Sequence, residues 1–143
     1  MERTIDLTTK KPYIIAVLSG ILFATSYPPF PAWALFFCFA PVWWVWAKAP
    51  NVKEVLKTGF VTQFVFTLIG FNWVAFTARE YGHIPAVLSF LILIGFCCFA
   101  SLYFALAGGL AKYLALRLRL SENGFFFLVA TLTATFEWIY PMI

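Results

Sequence analysis

The sequence predicts an all-α fold, a polytopic bundle of about five membrane-spanning helices with a cytoplasmic N-terminus. Three observations carry this. Of the 143 residues, 63% are hydrophobic and only 11% are charged, and the mean hydropathy is +0.89. Soluble domains are usually about a quarter charged. The apolar residues form long uncharged runs that no water-soluble core of this size could hide, so lipid must be the solvent for most of them. The cations collect between those runs, where they act as topology signals.

Residues 1-11 read as a short cytoplasmic tail and 12-143 as a transmembrane domain, with spans at about 12-27, 31-47, 58-78, 85-111 and 124-140. The first span carries Ala16, Gly20 and Ala24 at steps of four, a stripe of small residues that lets another helix approach closely. Its apolar stretch from Ile14 could pass for a signal-peptide core. No small-x-small cleavage site precedes Ser26, so the span reads as retained. Tyr27-Pro28-Pro29-Phe30-Pro31 cannot continue a helix and predicts a tight hairpin into the second span. That span closes on Trp43, Trp44, Trp46 and Lys48, which read as an aromatic belt with a cationic anchor.

Lys48 to Lys57 reads as a polar loop. The third span holds Gln63, Asn72 and Trp73; a membrane amide usually bonds another helix, and that is the expectation for Asn72. Arg79, Glu80 and His83 fall in the loop that follows. The uncharged run from Ile84 to Ala111 would make roughly 42 Å of helix, longer than a ~30 Å hydrocarbon core, so it must tilt, kink or project. Ser101, Ala105 and Gly109 form a second small-residue stripe. Ser121-Glu122-Asn123-Gly124 reads as a turn into the fifth span.

Alternating spans place Arg3, Lys10, Lys11, Lys48, Lys53, Lys57, Lys112, Arg117 and Arg119 on one side, leaving Arg79 alone on the other. The positive-inside rule makes the first side cytoplasmic. The net charge of +4 is thereby accounted for, and no basic surface with interleaved aromatics remains for nucleic acid. Asn72, Arg79, Glu80, His83 and Glu137 then collect towards the outer side. Glu137 is an intramembrane carboxylate, which normally finds a partner; the expected partners are Arg79 and His83.

No catalytic set is complete. Cys38, Cys97 and Cys98 lie in apolar runs with no base beside them and read as packing residues. Leu35-Phe36-Phe37-Cys38 lacks the small residues of a lipoprotein processing site. Ser26 and Ser101 have no neighbouring His or Lys. Gly108-Gly109 lies inside a span, away from any strand–helix phosphate loop. Glu80 and His83 could do acid–base work, though two loop residues are a thin basis. Neither a metal site nor a cofactor motif is expected.

Several segments, in order, resemble the N-terminal membrane region of bacterial apolipoprotein N-acyltransferases. They are Phe23-Ala24-Thr25-Ser26-Tyr27-Pro28-Pro29-Phe30; Gly59-Phe60; Gly70-Phe71-Asn72-Trp73-Val74; Tyr81-Gly82-His83-Ile84-Pro85; and Phe136-Glu137-Trp138. The resemblance runs from about Ile14 to Tyr140. It implies an enzyme that moves a fatty acyl chain from phospholipid to the α-amino group of a lipoprotein's diacylglyceryl-cysteine. It implies phospholipid and lipoprotein as partners, no cofactor, and the bacterial inner membrane as location. The family's chemistry belongs to a nitrilase-like domain with a Glu-Lys-Cys set, which these residues do not include. No catalytic residue therefore carries over; Asn72, Trp73, Gly82, Pro85 and Glu137 do, as membrane-domain positions. The sequence departs from the family pattern at Tyr140, where Arg is usual, and at Arg79 and Glu80, where many relatives are uncharged. The alternative is a non-catalytic anchor or scaffold for a partner such as a polyprenol-phosphate glycosyltransferase, docked on one of the two small-residue stripes. A small transporter half is the third reading, with no inverted repeat to favour it.

Overall fold

The apolar runs fold into six helices in a computed structural model that describes residues 11–26 and 37–139. They are α1 (Lys11–Ala24), α2 (Ala40–Lys48), α3 (Val52–Gly70), α4 (Trp73–Glu80), α5 (Ala86–Leu118) and α6 (Glu122–Ile139). There is no strand among the described residues. The proline turn at Tyr27–Pro31 and the start of the second predicted span lie outside them.

α3 and α5 form the antiparallel centre. Gly109 faces Leu56, Gly59 faces Ala105, and Phe71 meets Phe96 further along. α1 runs parallel to α3, with Thr62 Oγ1 donating to Ala16 O at 3.1 Å and Phe23 stacked on Phe66. α6 returns along α5, and α2 touches α1, α3, α5 and α6. The alternation gathers Lys11, Lys48, Lys53, Lys57, Lys112, Arg117 and Arg119 at one end, and leaves Arg79 at the other. Lys48 and Glu122 form an exposed ion pair at the basic end.

Both stripes of small residues are spent inside this packing. Ala16, Gly20 and Ala24 are buried; a Cβ on Gly20 would lie 2.5 Å from Thr62 O. Ser101, Ala105 and Gly109 are buried too, and a Cβ on Gly109 would lie 2.6 Å from Leu56 Cδ2. The absence of side chains there lets the backbones close up, which is how helices gain dispersion contact in a bundle.

Four expectations are corrected. The third span is not one straight helix: α3 and α4 bend by 47° at Phe71–Asn72. Gly70 is a poor helix former, Phe71 leaves helical geometry at φ −113°, and the Asn72 side chain donates to Ile69 O in competition with the backbone. Most of the expected loop at Lys48–Lys57 is helix, because Asn51 Oδ1 accepts from Glu54 N at 2.9 Å and caps α3. The Ser121–Gly124 turn is the first turn of α6, with Gly124 N bonded to Ser121 Oγ. Trp46 belongs to no belt, since it is wholly buried.

α5 runs unbroken for 33 residues and ends where Arg119 turns left-handed at φ +51°. Its length is about 50 Å. Among the described residues it is the one helix both long and apolar enough to cross a membrane by itself; the bent α3–α4 pair makes a second. α1 is apolar but short, and Glu122, Asn123 and Glu137 dilute α6.

Candidate functional site

The end opposite the basic cluster is shaped by a tight turn between α4 and α5. Ile84 N donates to Ala78 O at 3.3 Å, which closes the C-terminus of α4. His83 takes φ +51°, and a Cβ on Gly82 would meet Ala78 O at 2.6 Å. Pro85 then precedes α5 at φ −55°, and Ser89 Oγ donates back to the carbonyls of Ile84 and Pro85, each at 3.2 Å. The turn thus holds the last residues of α4 against the first turns of α5.

Between the two helices lies a crevice of about 400 Å3. Phe76, Arg79 and Glu80 of α4 form one wall, and Ala86, Ser89 and Phe90 of α5 the other. No residue of α4 is buried, so α4 leans on α5 without closing over it. Two other grooves are apolar. One, of about 530 Å3, runs between α1 and α2 past Leu18, Ser19 and Trp44; the other, of about 410 Å3, passes Phe60 and Leu106.

Of the predicted polar cluster, the structure brings Arg79 and Glu80 into this crevice and places His83 in the turn beside it. Trp73 opens α4 and is 54% exposed. Asn72 does not bond another helix; its amide serves the end of its own, at 2.8 Å from Ile69 O. Glu137 does not join the others. It is exposed and forms no ion pair with Arg79 or His83, and α6 packs on α5 and α2. The physical reason is length: Glu137 lies about 23 Å from the start of α6, roughly halfway along α5.

The interhelical polar contacts fall elsewhere. Gln63 Nε2 donates to Tyr103 Oη at 3.2 Å between α3 and α5. Trp46 Nε1 donates to Thr58 Oγ1 at 3.0 Å between α2 and α3. Lys112 Nζ donates to Ala47 O at 3.0 Å and lies over the Phe125 ring, joining α5, α2 and α6. Gln63 was visible as an amide in an apolar run. Nothing in the sequence marked Trp46 apart from its two neighbouring tryptophans.

The Ser26 and Ser101 hydroxyls are both engaged by backbone carbonyls of the preceding helical turn. Ser26 Oγ donates to Phe23 O and Ser101 Oγ to Cys97 O, each at 2.6 Å. Cys38 and Cys97 are buried and Cys98 faces outward. Among the described residues no group of His, Cys, Asp and Glu could hold a metal ion.

Residues 19–143 match the sequence profile of the apolipoprotein N-acyltransferase N-terminal domain. The chain is 46% identical over its whole length to an apolipoprotein N-acyltransferase of Bdellovibrio bacteriovorus, covering 27% of that protein. A protein of the same name from Pasteurella multocida is 26% identical over 90% of this chain and 24% of its own length. Another, from Geobacter metallireducens, is 27% identical over 75% of this chain and 20% of its own length. The chain therefore spans about a quarter of the length of these relatives. No solved structure matches.

Proposed function

The chain belongs to the family of the apolipoprotein N-acyltransferase N-terminal domain, and from that premise we propose that it is the membrane domain of such an enzyme in the bacterial inner membrane. The reaction is transfer of a fatty acyl chain from phospholipid to the α-amino group of a lipoprotein's diacylglyceryl-cysteine. The domain's part is to span the membrane in five passes, α3 and α4 together forming one, and to hold the reacting machinery at the outer face. The acyl-transfer residues lie in the portions of the relatives that this chain does not cover.

The observation that carries the membrane reading is an inverted distribution of polarity. Thr58, Thr62, Thr67, Ser19, Ser101 and Gln63 are buried between helices, while Ile14, Leu18, Val87, Leu91, Phe99 and Leu106 face outward. In water such a surface would drive aggregation. In lipid it costs nothing, and helix contacts are made by small and polar residues instead. Segregation of the described Lys and Arg residues other than Arg79 to one end supports a cytoplasmic N-terminus.

Single-cysteine variants Lys53→Cys and Tyr81→Cys, in a background with Cys38, Cys97 and Cys98 each replaced by Ala, test the topology with a membrane-impermeant maleimide. Intact inner-membrane spheroplasts should label the second and spare the first; labelling of both from outside would refute it. For the division of labour, the 143 residues expressed alone should transfer no acyl chain to a diacylglyceryl peptide. Turnover by them alone would place catalysis within this chain.

A further inference from the structure

We propose that one buried water molecule is bound between α3 and α5, held by Gln63, Thr67 and Ser101, and that it pins the last turn of α3 just before the bend into α4. The inference goes beyond the proposed function and does not depend on it, since the site lies inside the bundle.

The argument starts from two oxygens that a folded protein rarely leaves alone. Gln63 and Thr67 are 3% and 1% exposed, and among the described residues neither Gln63 Oε1 nor Thr67 Oγ1 has a hydrogen-bond partner. A buried polar atom in that state is costly, so native structures nearly always supply a partner, from the protein or from ordered water. Thr67 sharpens the case. Thr58, Thr62, Thr131 and Thr135 each donate to the carbonyl four residues back. Thr67 forgoes that bond, the partner a helix always offers a hydroxyl. Ser19 Oγ, Trp43 Nε1 and Thr133 Oγ1 are also unpartnered, but they stand on three different helices. Gln63 and Thr67 lie one turn apart on one face of α3, with about 6 Å between Cβ atoms.

The opposite wall follows from register. Gly109 lies against Leu56 and Gly59 against Ala105, so each turn forward on α3 is a turn back on α5. One and two turns further on, Gln63 and Thr67 come opposite Ser101 and Cys97. The bond from Gln63 Nε2 to Tyr103 Oη at 3.2 Å shows that the amide does point to α5. Ser101 and Cys97 are wholly buried, and their short side chains leave room between the helices. Ser101 Oγ spends its proton on Cys97 O at 2.6 Å and keeps lone pairs to accept with. A water here donates to Gln63 Oε1 and Ser101 Oγ and accepts from Thr67 Oγ1. Three bonds is the usual number for a buried water. Neither α5 nor α3 beyond Glu54 carries an acid that would balance a metal ion, so the ligand is neutral. Thr67 O accepts the capping bond from Phe71 N, so a water on Thr67 ties that last turn to α5.

The test is the unfolding equilibrium of the full polypeptide purified in mixed micelles, and its sign separates the alternatives. If Thr67 Oγ1 has no partner, Thr67→Val removes an unsatisfied hydroxyl at nearly constant shape and the folded state gains. If a water is held there, the change breaks one of its bonds, and the unfolding equilibrium constant should rise about tenfold. Ser101→Ala should act in the same direction, and the double variant should cost less than the sum, because the two side chains share one ligand. A gain in stability, or no change, on Thr67→Val overturns the proposal. Strict additivity overturns it too, since a direct contact between Thr67 and Gln63 would not involve Ser101. A high-resolution density map of the unmodified protein decides independently of how the variants fold. It should show a water within about 2.5–3.0 Å of Gln63 Oε1 and Thr67 Oγ1; direct contact of the two side chains, or no density between them, refutes the assignment.

Discussion

Replacing Gly108 with Ala should destabilise the bundle, and replacing Gly95 with Ala should stabilise it. Both glycines lie in α5, so helix propensity favours each change by about 0.8–1.0 kcal/mol. The surroundings differ. A Cβ at Gly95 would meet nothing within 4 Å. A Cβ at Gly108 would lie 2.5 Å from two ring atoms of Trp46 and 3.0 Å from a third. Carbon atoms rest at about 3.5–4.0 Å, so the ring would have to retreat by roughly 1 Å. It has nowhere to go. Gly59 closes its other side, where a Cβ would lie 2.8 Å from the ring. Its Nε1 is tied to Thr58, and Phe104 packs against it with centroids 5.1 Å apart. Moving the whole of α2 would stretch the bond from Lys112 to Ala47 O. With three ring atoms overlapped and no relief, the cost falls at the upper end of the ~1–3 kcal/mol typical of overpacking. Net of propensity, Gly108→Ala should lose about 2 kcal/mol and Gly95→Ala gain about 1. Reversible unfolding in mixed micelles titrated with dodecyl sulfate would measure both. Trp46→Phe in the Gly108→Ala background should recover part of the loss, because the smaller ring vacates the contested space. If the two glycine variants unfolded at the same midpoint, the slot around Trp46 would not be tight, and the account of α2 packing on α3 and α5 would fail.

Two further outcomes follow from local geometry. His83 holds φ +51°, a left-handed conformation that costs a side-chain-bearing residue about 1–2 kcal/mol, so His83→Gly should be neutral or stabilising by up to about 1 kcal/mol in the same unfolding assay; a clear loss would mean the imidazole makes contacts that outweigh the strain. Lys48→Ala removes one half of the exposed pair with Glu122, and should shift stability by less than about 1 kcal/mol, a shift that vanishes in high salt; a larger loss would show that the pair is shielded from solvent.

How far the fold was legible depended on whether a feature was periodic or singular. The uncharged run after Ile84 reads as one long helix, and α5 is one. The small residues at Ala16, Gly20 and Ala24 recur every fourth position, and a helix does pack there. The bend after Gly70 was not legible, because glycine, phenylalanine and asparagine are each tolerated inside a helix. It took the Asn72 amide turning back on Ile69 O to decide between continuation and a break. Trp46 was misplaced for a related reason. Tryptophans at the end of an apolar run suit an interface and a core equally well, and the deciding neighbours, Gly59 and Gly108, are distant in sequence. Glu137 was expected level with the Arg79 turn, but α5 is 33 residues and α6 only 18, so Glu137 stops well short of that turn. At the candidate site, Arg79 and Glu80 were visible as charges. That they share one wall depends on the bend and could not be read.

The bend shapes the end of the molecule opposite the basic cluster. Had α3 continued straight past Gly70, its last turns would have followed the antiparallel line on which Gly59 meets Ala105 and Phe71 meets Phe96. Small and apolar residues close that line lower down, where Ala105 and Gly109 admit the neighbouring helix. Above Phe71 the chain turns by 47°, and α4 touches α5 without burying any residue of its own. A helix that leans in this way leaves space at the contact, and the space opens where Arg79 and Glu80 stand. The short turn through Gly82 and His83 fixes that spacing, because Ile84 N is bonded to Ala78 O and a side chain at Gly82 would strike the same carbonyl. The strained φ at His83 is thus the cost of holding α4 and α5 apart by a set distance at the end opposite the basic cluster.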